Sequence, residues 1–399
     1  MLHNLNLALS RGGVVFTSGP TWVEVRRSSL HILKDFGFGK NTMEDIIDQD
    51  VDNLIQYIED QWLDTPIDMS QFFNIAVLAS LWRIVSGESL KIGDAKLESL
   101  LHNLHAIFKE LGNPLIRRCL ESETMSKILY RLGLSKMPDN QQKIVEFCQD
   151  NINATKDKTI DGDNPLTFIE AFVHKIQTTE DKNSPLYQES GELNLVNLLF
   201  DLFAAGSDTT ATTLNWAMMY MILNPDVQEK VRQELLANIG NRKPSMSDKS
   251  STPYTEAVIH EIQRKGDIVT YSIFHYTSDT MDIGPYKVPK DTIIIPLIGT
   301  VYHDPEYFPN PSKFDPMRYL IDEPNGMKKF VPNQRLIPFG IGKRRCLGET
   351  LAKMTLYKFF TAIVQRYKIV SGQNEPILDE SMFQFVRCPA SYKLKFIKI

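Results

Sequence analysis

The stretch Ile337-Pro338-Phe339-Gly340-Ile341-Gly342-Lys343-Arg344-Arg345-Cys346-Leu347-Gly348 constrains this 399-residue chain more than any other. Gly340, Gly342 and Gly348 remove side chains where the backbone must turn sharply or lie close to something flat. Just past the thiol, Leu347, Leu351, Met354 and Tyr357 recur at helical spacing, so a helix starts there. A cysteine in that place meets unpaired backbone N–H groups and the positive end of the helix dipole. Those groups, with Lys343, Arg344 and Arg345, lower a thiol pKa, which predicts a stabilised thiolate presented to a metal. The plain alternative is a buried structural cysteine beside a basic turn. A phosphate loop fits less well, because Gly342-Lys343 is followed by Arg344 rather than Ser or Thr.

Composition narrows the setting. A net charge of −5 gives no general affinity for nucleic acid. The four cysteines (Cys119, Cys148, Cys346, Cys388) form no C-x-x-C pair, which argues against a zinc ribbon or a disulfide framework and suits a reducing compartment. No run of 18 apolar residues occurs, and Met1–Asn6 lacks a signal pattern.

Periodicity predicts a mainly α protein with small β-sheets (α+β). Trp22 and Arg26 are i and i+4, on one helix face. Residues from about Met43 to Thr155 read as helical, with breaks near Asp64-Thr65-Pro66, Gly112-Asn113-Pro114 and Lys136-Met137-Pro138. Within them Ile75, Leu78, Ala79 and Trp82 form an apolar stripe read as core, and His102 and His105 read as a solvated face. A shorter helix is expected near Leu166–Ile176. A long helix runs from about Leu193 to Leu223 and stops at Asn224-Pro225. Its middle, Ala204-Ala205-Gly206-Ser207-Asp208-Thr209-Thr210, costs helix stability and predicts a distortion, with Thr209 bonding back to a carbonyl and Gly206 leaving room for a small ligand or water. Helices follow from Pro225 to about Gly240 and from Thr252-Pro253, the latter carrying Glu261 and Arg264 as i, i+3 partners. Ile268–Phe274 and Tyr286–Leu297 suit short strands, and Met382–Pro389 with Ser391–Ile397 suit a final hairpin.

Phe339, Gly342, Arg344, Cys346 and Gly348 match the haem-binding loop F-x-x-G-x-R-x-C-x-G of the cytochrome P-450 superfamily, which this chain therefore resembles. The resemblance covers nearly all of the chain. It implies the cytochrome P-450 fold, with haem b held between the long central helix and the helix after the cysteine loop, in one domain spanning 1–399. It makes Cys346 the iron ligand. Trp22 and Arg26 match W-x-x-x-R, whose arginine meets a haem propionate in the family, and His275 stands where a propionate-binding side chain is frequent, although Tyr276 departs from the usual His-Arg pair. The A-G-x-D-T-T match makes Asp208 a proton relay and Thr209 the holder of the hydrogen-bond network at oxygen. Glu261, Arg264 and Arg318 match the E-x-x-R and P-E-R-F elements, a buried network supporting the cysteine loop, with Met317 replacing the usual Glu.

The function implied is a haem-thiolate monooxygenase that takes NADPH electrons through NADPH-cytochrome P-450 reductase, with cytochrome b5 as a further partner. Asp35–Lys40 and Val258–Arg264 resemble animal microsomal members. The implied location is the cytosolic face of the endoplasmic reticulum membrane, and the implied state a monomer. The chain is expected to begin after the family's membrane anchor and first helices and strands. Lys343, Arg345 and Lys353 would form the basic docking surface. A lipophilic small molecule would be walled by Phe200, Phe203, Ala204, Ile268–Phe274 and Phe383–Val386. Two alternatives stay open: a haem-thiolate isomerase or dehydratase, against which the Asp208-Thr209 pair speaks, and an inactive truncated form.

Overall fold

The computed structural model describes residues 12–35, 41–113, 116, 119, 122–157, 165–324, 326–375, 377–383 and 386–399. Residues 1–6, the phrase at 36–40, Pro114 and Phe385, all drawn on above, lie outside them, as does the side chain of Phe383. In chain order the helices are α1 (Gly19–Asp35), α2 (Asn41–Gln61), α3 (Phe72–Ser86), α4 (Ala95–Gly112), α5 (Glu123–Arg131), α6 (Met137–Lys156), α7 (Phe168–Gln177), α8 (Gln188–Leu223), α9 (Pro225–Asn238), α10 (Pro253–Gly266), α11 (Ile298–Tyr302) and α12 (Glu349–Arg366). The strands are β1 (Ile67–Asp68), β2 (His275–Tyr276), β3 (Met281–Ile283), β4 (Tyr286–Val288), β5 (Ile293–Ile294), β6 (Leu320–Asp322), β7 (Lys328–Phe330), β8 (Tyr367–Ser371), β9 (Ser381–Phe383), β10 (Arg387–Pro389) and β11 (Lys393–Lys398).

The helix α8 organises the molecule. It has 36 residues and is about 54 Å long. Its apolar residues are not confined to one face, as suits a helix that runs through the middle of a core. Its N-terminal half, through Leu195, Leu199 and Phe203, joins one apolar cluster with residues of α1, α3, α4, α6 and α7. Its C-terminal half, through Leu214, Trp216 and Met219, joins a second with α2, α9, α10 and α12. Leu351, near the start of α12, packs against both clusters. The Ala205–Thr209 stretch of α8 therefore lies where the two cores adjoin, as does the start of α12.

The predicted stripe on α3 is core: Leu78, Ala79 and Trp82 are buried and Ile75 packs beside them. The run read as helical from Met43 has a further break at Gly87–Asp94, where Gly87 takes φ 75° and caps α3. Residues 268–271 form a turn and 272–274 are irregular rather than a strand, and β2 begins only at His275, paired with Ile294 of β5. The end of the chain also differs from a hairpin of two neighbouring strands. β9 pairs with β10, while β11 lies antiparallel between β8 and β1, with Leu394 opposite both Ser371 and Ile67. Its buried Leu394 and Phe396 face the α2–α12 core, which the distant β8 and β1 complete and a local hairpin would not.

Candidate active site

The cysteine loop is built from backbone. The Cys346 N–H donates to the Phe339 carbonyl at 2.8 Å, and the Gly340 N–H to that of Ile337 at 2.9 Å. Gly340 and Gly342 both have φ of +70°, a region that costs a side-chain-bearing residue strain. Gly348 then leads into α12. Cys346 is exposed as a residue, with protein packed around its thiol. That enclosure pushes the thiol up, opposed by the Gly348 N–H, Arg26 and Arg345 and reinforced by Glu349. This corrects the expectation of a thiol already lowered by its surroundings: burial outweighs the local dipole and cations. Deprotonation is then left to a metal, which ionises a coordinating thiol outright.

Beside the loop stands a cluster of positive charge. Arg344 places its Cζ 4.0 Å from the Trp22 ring centroid, and Arg26 lies 5.8 Å from the same ring on α1. Arg26 Nη2 donates to the Arg345 carbonyl at 2.5 Å, while Arg344 donates to the carbonyls of Val14 at 3.2 Å and Thr17 at 2.6 Å. Burial lowers both guanidinium pKa values, and Arg26 lowers that of Arg344 further. Among the described residues neither pairs with a carboxylate, and the indole Nε1 of Trp22 is buried without an acceptor. Two partly buried cations and an unused donor on one ring make a place suited to an anion. The propionates of haem fit that requirement, and Cys346 next to them fits its iron. His275 is exposed, and its Nδ1–H donates to the Ile273 carbonyl at 2.7 Å. The other ring nitrogen is then an acceptor when the ring is neutral, which does not suit a propionate. Its neighbour Tyr276 bears electrostatically on Arg344 instead.

On α8 the hydroxyl of Thr209 donates to the Ala205 carbonyl at 2.7 Å, and those of Ser207 and Thr213 bond back in the same way. The helix continues without a break through this stretch. Gly206 does not leave room for a ligand, because a Cβ there would meet Leu81 Cδ2 of α3 at 2.8 Å; its bareness lets α3 and α8 approach. The open position is Ala205, exposed in the middle of a buried helix. Phe203 is not a wall residue: it is fully buried, its ring 5.6 Å from that of Trp82.

Asp208 is held by two side chains that the sequence reading did not connect to it. Asn74 Nδ2 of α3 donates to Asp208 Oδ1 at 2.7 Å, and His105 Nε2 of α4 lies 2.9 Å from the same oxygen. His102 does face solvent, but His105 does not belong to a solvated face. Nothing in the helical spacing of α4 could reveal a partner 103 residues away.

Behind the loop, Glu261 and Arg264 are fully buried on α10. Arg264 donates from Nε and Nη2 to the two carboxylate oxygens of Glu261, both at 2.8 Å, and from Nη1 to the Tyr302 carbonyl at 2.7 Å. Arg318 Nε reaches Glu261 Oε1 at 3.2 Å, and Asp315 N–H reaches it at 2.9 Å. Met317 is exposed and outside the network. Tyr302 links the group to the cysteine loop, its hydroxyl accepting from the Ile337 N–H at 3.1 Å. Of the three cations expected on the docking face, Arg345 and Lys353 are both ion-paired with Glu349, which reduces their net field.

The family model for cytochrome P450 matches residues 2–396. This chain is a cytochrome P-450. It is similar to rabbit (Oryctolagus cuniculus) cytochrome P450 2C3, at 33% identity over 97% of this chain and 78% of that protein. It is also similar to rat (Rattus norvegicus) cytochrome P450 2J3, at 32% over 96% and 75%, and to human (Homo sapiens) cytochrome P450 2A6, at 32% over 96% and 76%. The mainly α fold with small antiparallel sheets is that of the family, and the cofactor is haem b. As a cytochrome P-450 the protein is a haem-thiolate monooxygenase. Among the described residues no helix is long and apolar enough to cross a membrane.

Proposed function

We propose that this cytochrome P-450, a single domain over 1–399, inserts one atom of dioxygen into a lipophilic small molecule, with electrons from NADPH-cytochrome P-450 reductase at the endoplasmic reticulum membrane. The observation that carries the reading is exposed Cys346 beside Arg26 and Arg344, which among the described residues have no carboxylate partner, and the Trp22 indole Nε1, buried without an acceptor. Cys346 would ligate the iron, with Trp22, Arg26 and Arg344 on the propionates and Phe339, Gly342 and Gly348 shaping the loop. Haem bound in this way supplies the oxidative chemistry, its thiolate ligand favouring O–O cleavage.

The chain's own residues do the rest. Exposed apolar side chains at Ile273 and Phe274, with Ala205, offer an apolar surface that excludes water and suits a lipophilic substrate. Thr209 holds its hydroxyl against α8, where it can turn to accept a proton from Asp208 and pass it inward. Glu261, Arg264 and Arg318 fix the segment that carries the cysteine loop. Lys343, Arg345 and Lys353 receive the acidic face of the reductase or of cytochrome b5, with rates that fall as salt rises, and the protein acts as a monomer. The test is turnover with reductase and NADPH under labelled dioxygen. Label in product supports a monooxygenase; product without label or NADPH consumption indicates a haem-thiolate isomerase instead.

A further inference from the structure

We propose that His105 and Asn74 are positioning residues for the proton relay: two side chains from separate helices that hold the Asp208 carboxylate in place. The proposal rests on the reading of Asp208 as the relay acid. Three helices, α3, α4 and α8, converge on one oxygen atom. Asn74 Nδ2 stands 2.7 Å and His105 Nε2 2.9 Å from Asp208 Oδ1, and the two nitrogens are 3.2 Å apart. While Asp208 is ionised between proton transfers its carboxylate can only accept, and both partners have a donor to offer, so in that state the triangle has one sensible assignment. Asn74 and His105 each give a hydrogen to Oδ1, and the nitrogen–nitrogen contact follows from sharing that acceptor. In that state His105 carries its hydrogen on Nε2.

Asp201, seven residues earlier on the same helix, shows what the arrangement is for. Its carboxylate takes the backbone N–H groups of Val14 and Val15 and is fully enclosed, with its pKa pushed up to about 7 by burial. Backbone donors cannot swing away, so Asp201 is a fixed clamp. Among the described residues Asp208 is held by side-chain donors at its Oδ1, on rotatable bonds, and the pair keeps some access to solvent, with side-chain exposures of 23% for His105 and 15% for Asp208. Such a carboxylate has a defined resting place and can still leave it. The thiol of Cys388 on β10 also feels the Asp208 charge. A relay acid needs this combination, since proton transfer depends on placement within hydrogen-bond reach of the next group.

The experiment compares the holoenzyme with H105A, N74A, H105Q and D208N, using reductase, NADPH and 7-ethoxycoumarin as probe. The readouts are hydrogen peroxide released per NADPH and the solvent deuterium isotope effect on NADPH oxidation. H105A and N74A are expected to raise the peroxide fraction and the isotope effect in the direction of D208N, with relay efficiency lowered about tenfold, while H105Q, which keeps a donor, recovers most of the loss. A separate readout needs no turnover. In the ferrous–CO protein labelled with ¹⁵N-histidine, the Nε2–H of His105 gives a downfield resonance that disappears in H105A and moves in D208N. If D208N releases peroxide but H105A and N74A match the wild type, the positioning role is wrong and the relay reading stands. If D208N itself matches the wild type, the relay reading fails and takes the proposal with it. If H105A does not fold, a His105 resonance that stays put in D208N overturns the proposal alone.

Discussion

The carboxylate of Asp201, deep in α8, accepts hydrogen bonds from the backbone N–H groups of Val14 at 2.6 Å and Val15 at 2.9 Å. The same segment, through Val14, carries a carbonyl that Arg344 of the cysteine loop binds. One short stretch of backbone thus joins the central helix to the loop that presents the thiol.

Removing that acceptor strands two donors. Asp201→Ala is expected to lose about 1–3 kcal/mol for each buried N–H left unsatisfied, read as a lower thermal midpoint. Asp201→Asn keeps an acceptor and has no charge, which makes pH the informative variable. The folded carboxyl titrates at about 7, above its ordinary 3.8, so its contribution to stability is complete below about 4 and is lost as pH rises through 7. The thermal midpoint of Asp201→Asn should therefore gain on the wild type between pH 5.5 and pH 8; a difference independent of pH would contradict the burial argument.

Trp22→Phe keeps the apolar ring under Arg344 and deletes only the unused Nε1 donor. If that donor serves a propionate, the loss of a hydrogen bond to a charged group amounts to about 1.5–3 kcal/mol, or roughly 10–100-fold faster haem transfer to apomyoglobin. The thermal midpoint of the haem-free chain should stay near wild type.

How much of this was legible beforehand depends on the range of each contact. The cysteine loop, the Trp22–Arg26 pair, the Glu261–Arg264 pair and the helix from the 190s to Leu223 are local patterns, and residues a turn apart on a helix must meet. Contacts between distant elements were not legible. Asn74 and His105 reach Asp208 across 134 and 103 residues. Leu81 fills the space beside Gly206, so a bare position that suggested a ligand marks a helix crossing. The thiol of Cys346 was misjudged for a related reason: cations close in sequence are legible, but the burial that outweighs them is set by the fold.

The helix crossing has its own test. Gly206→Ala gains about 1 kcal/mol of helix propensity, but the new Cβ would sit 2.8 Å from Leu81 Cδ2, an overpacking typically costing about 1–3 kcal/mol. A net loss of stability is expected. In a double-mutant cycle with Leu81→Ala the two changes should couple by more than about 0.5 kcal/mol; simple additivity would show that the two helices do not meet there.

Glu261→Gln tests the network behind the loop. With Glu261 and Arg264 both fully buried, the substitution leaves an uncompensated guanidinium, a loss of about 3–5 kcal/mol. Expression should yield protein without stable haem, and the effect should be far larger than that of Met317→Ala at the exposed neighbouring position.

The central claim is that Cys346 holds the iron of haem b through an ionised sulfur. It is tested most directly by the ferrous–CO difference spectrum of the purified protein beside that of Cys346→Ala. The account predicts a strongly red-shifted Soret band in the wild type and its complete loss in the variant. A wild type without that band, or a variant that keeps it, would contradict the account.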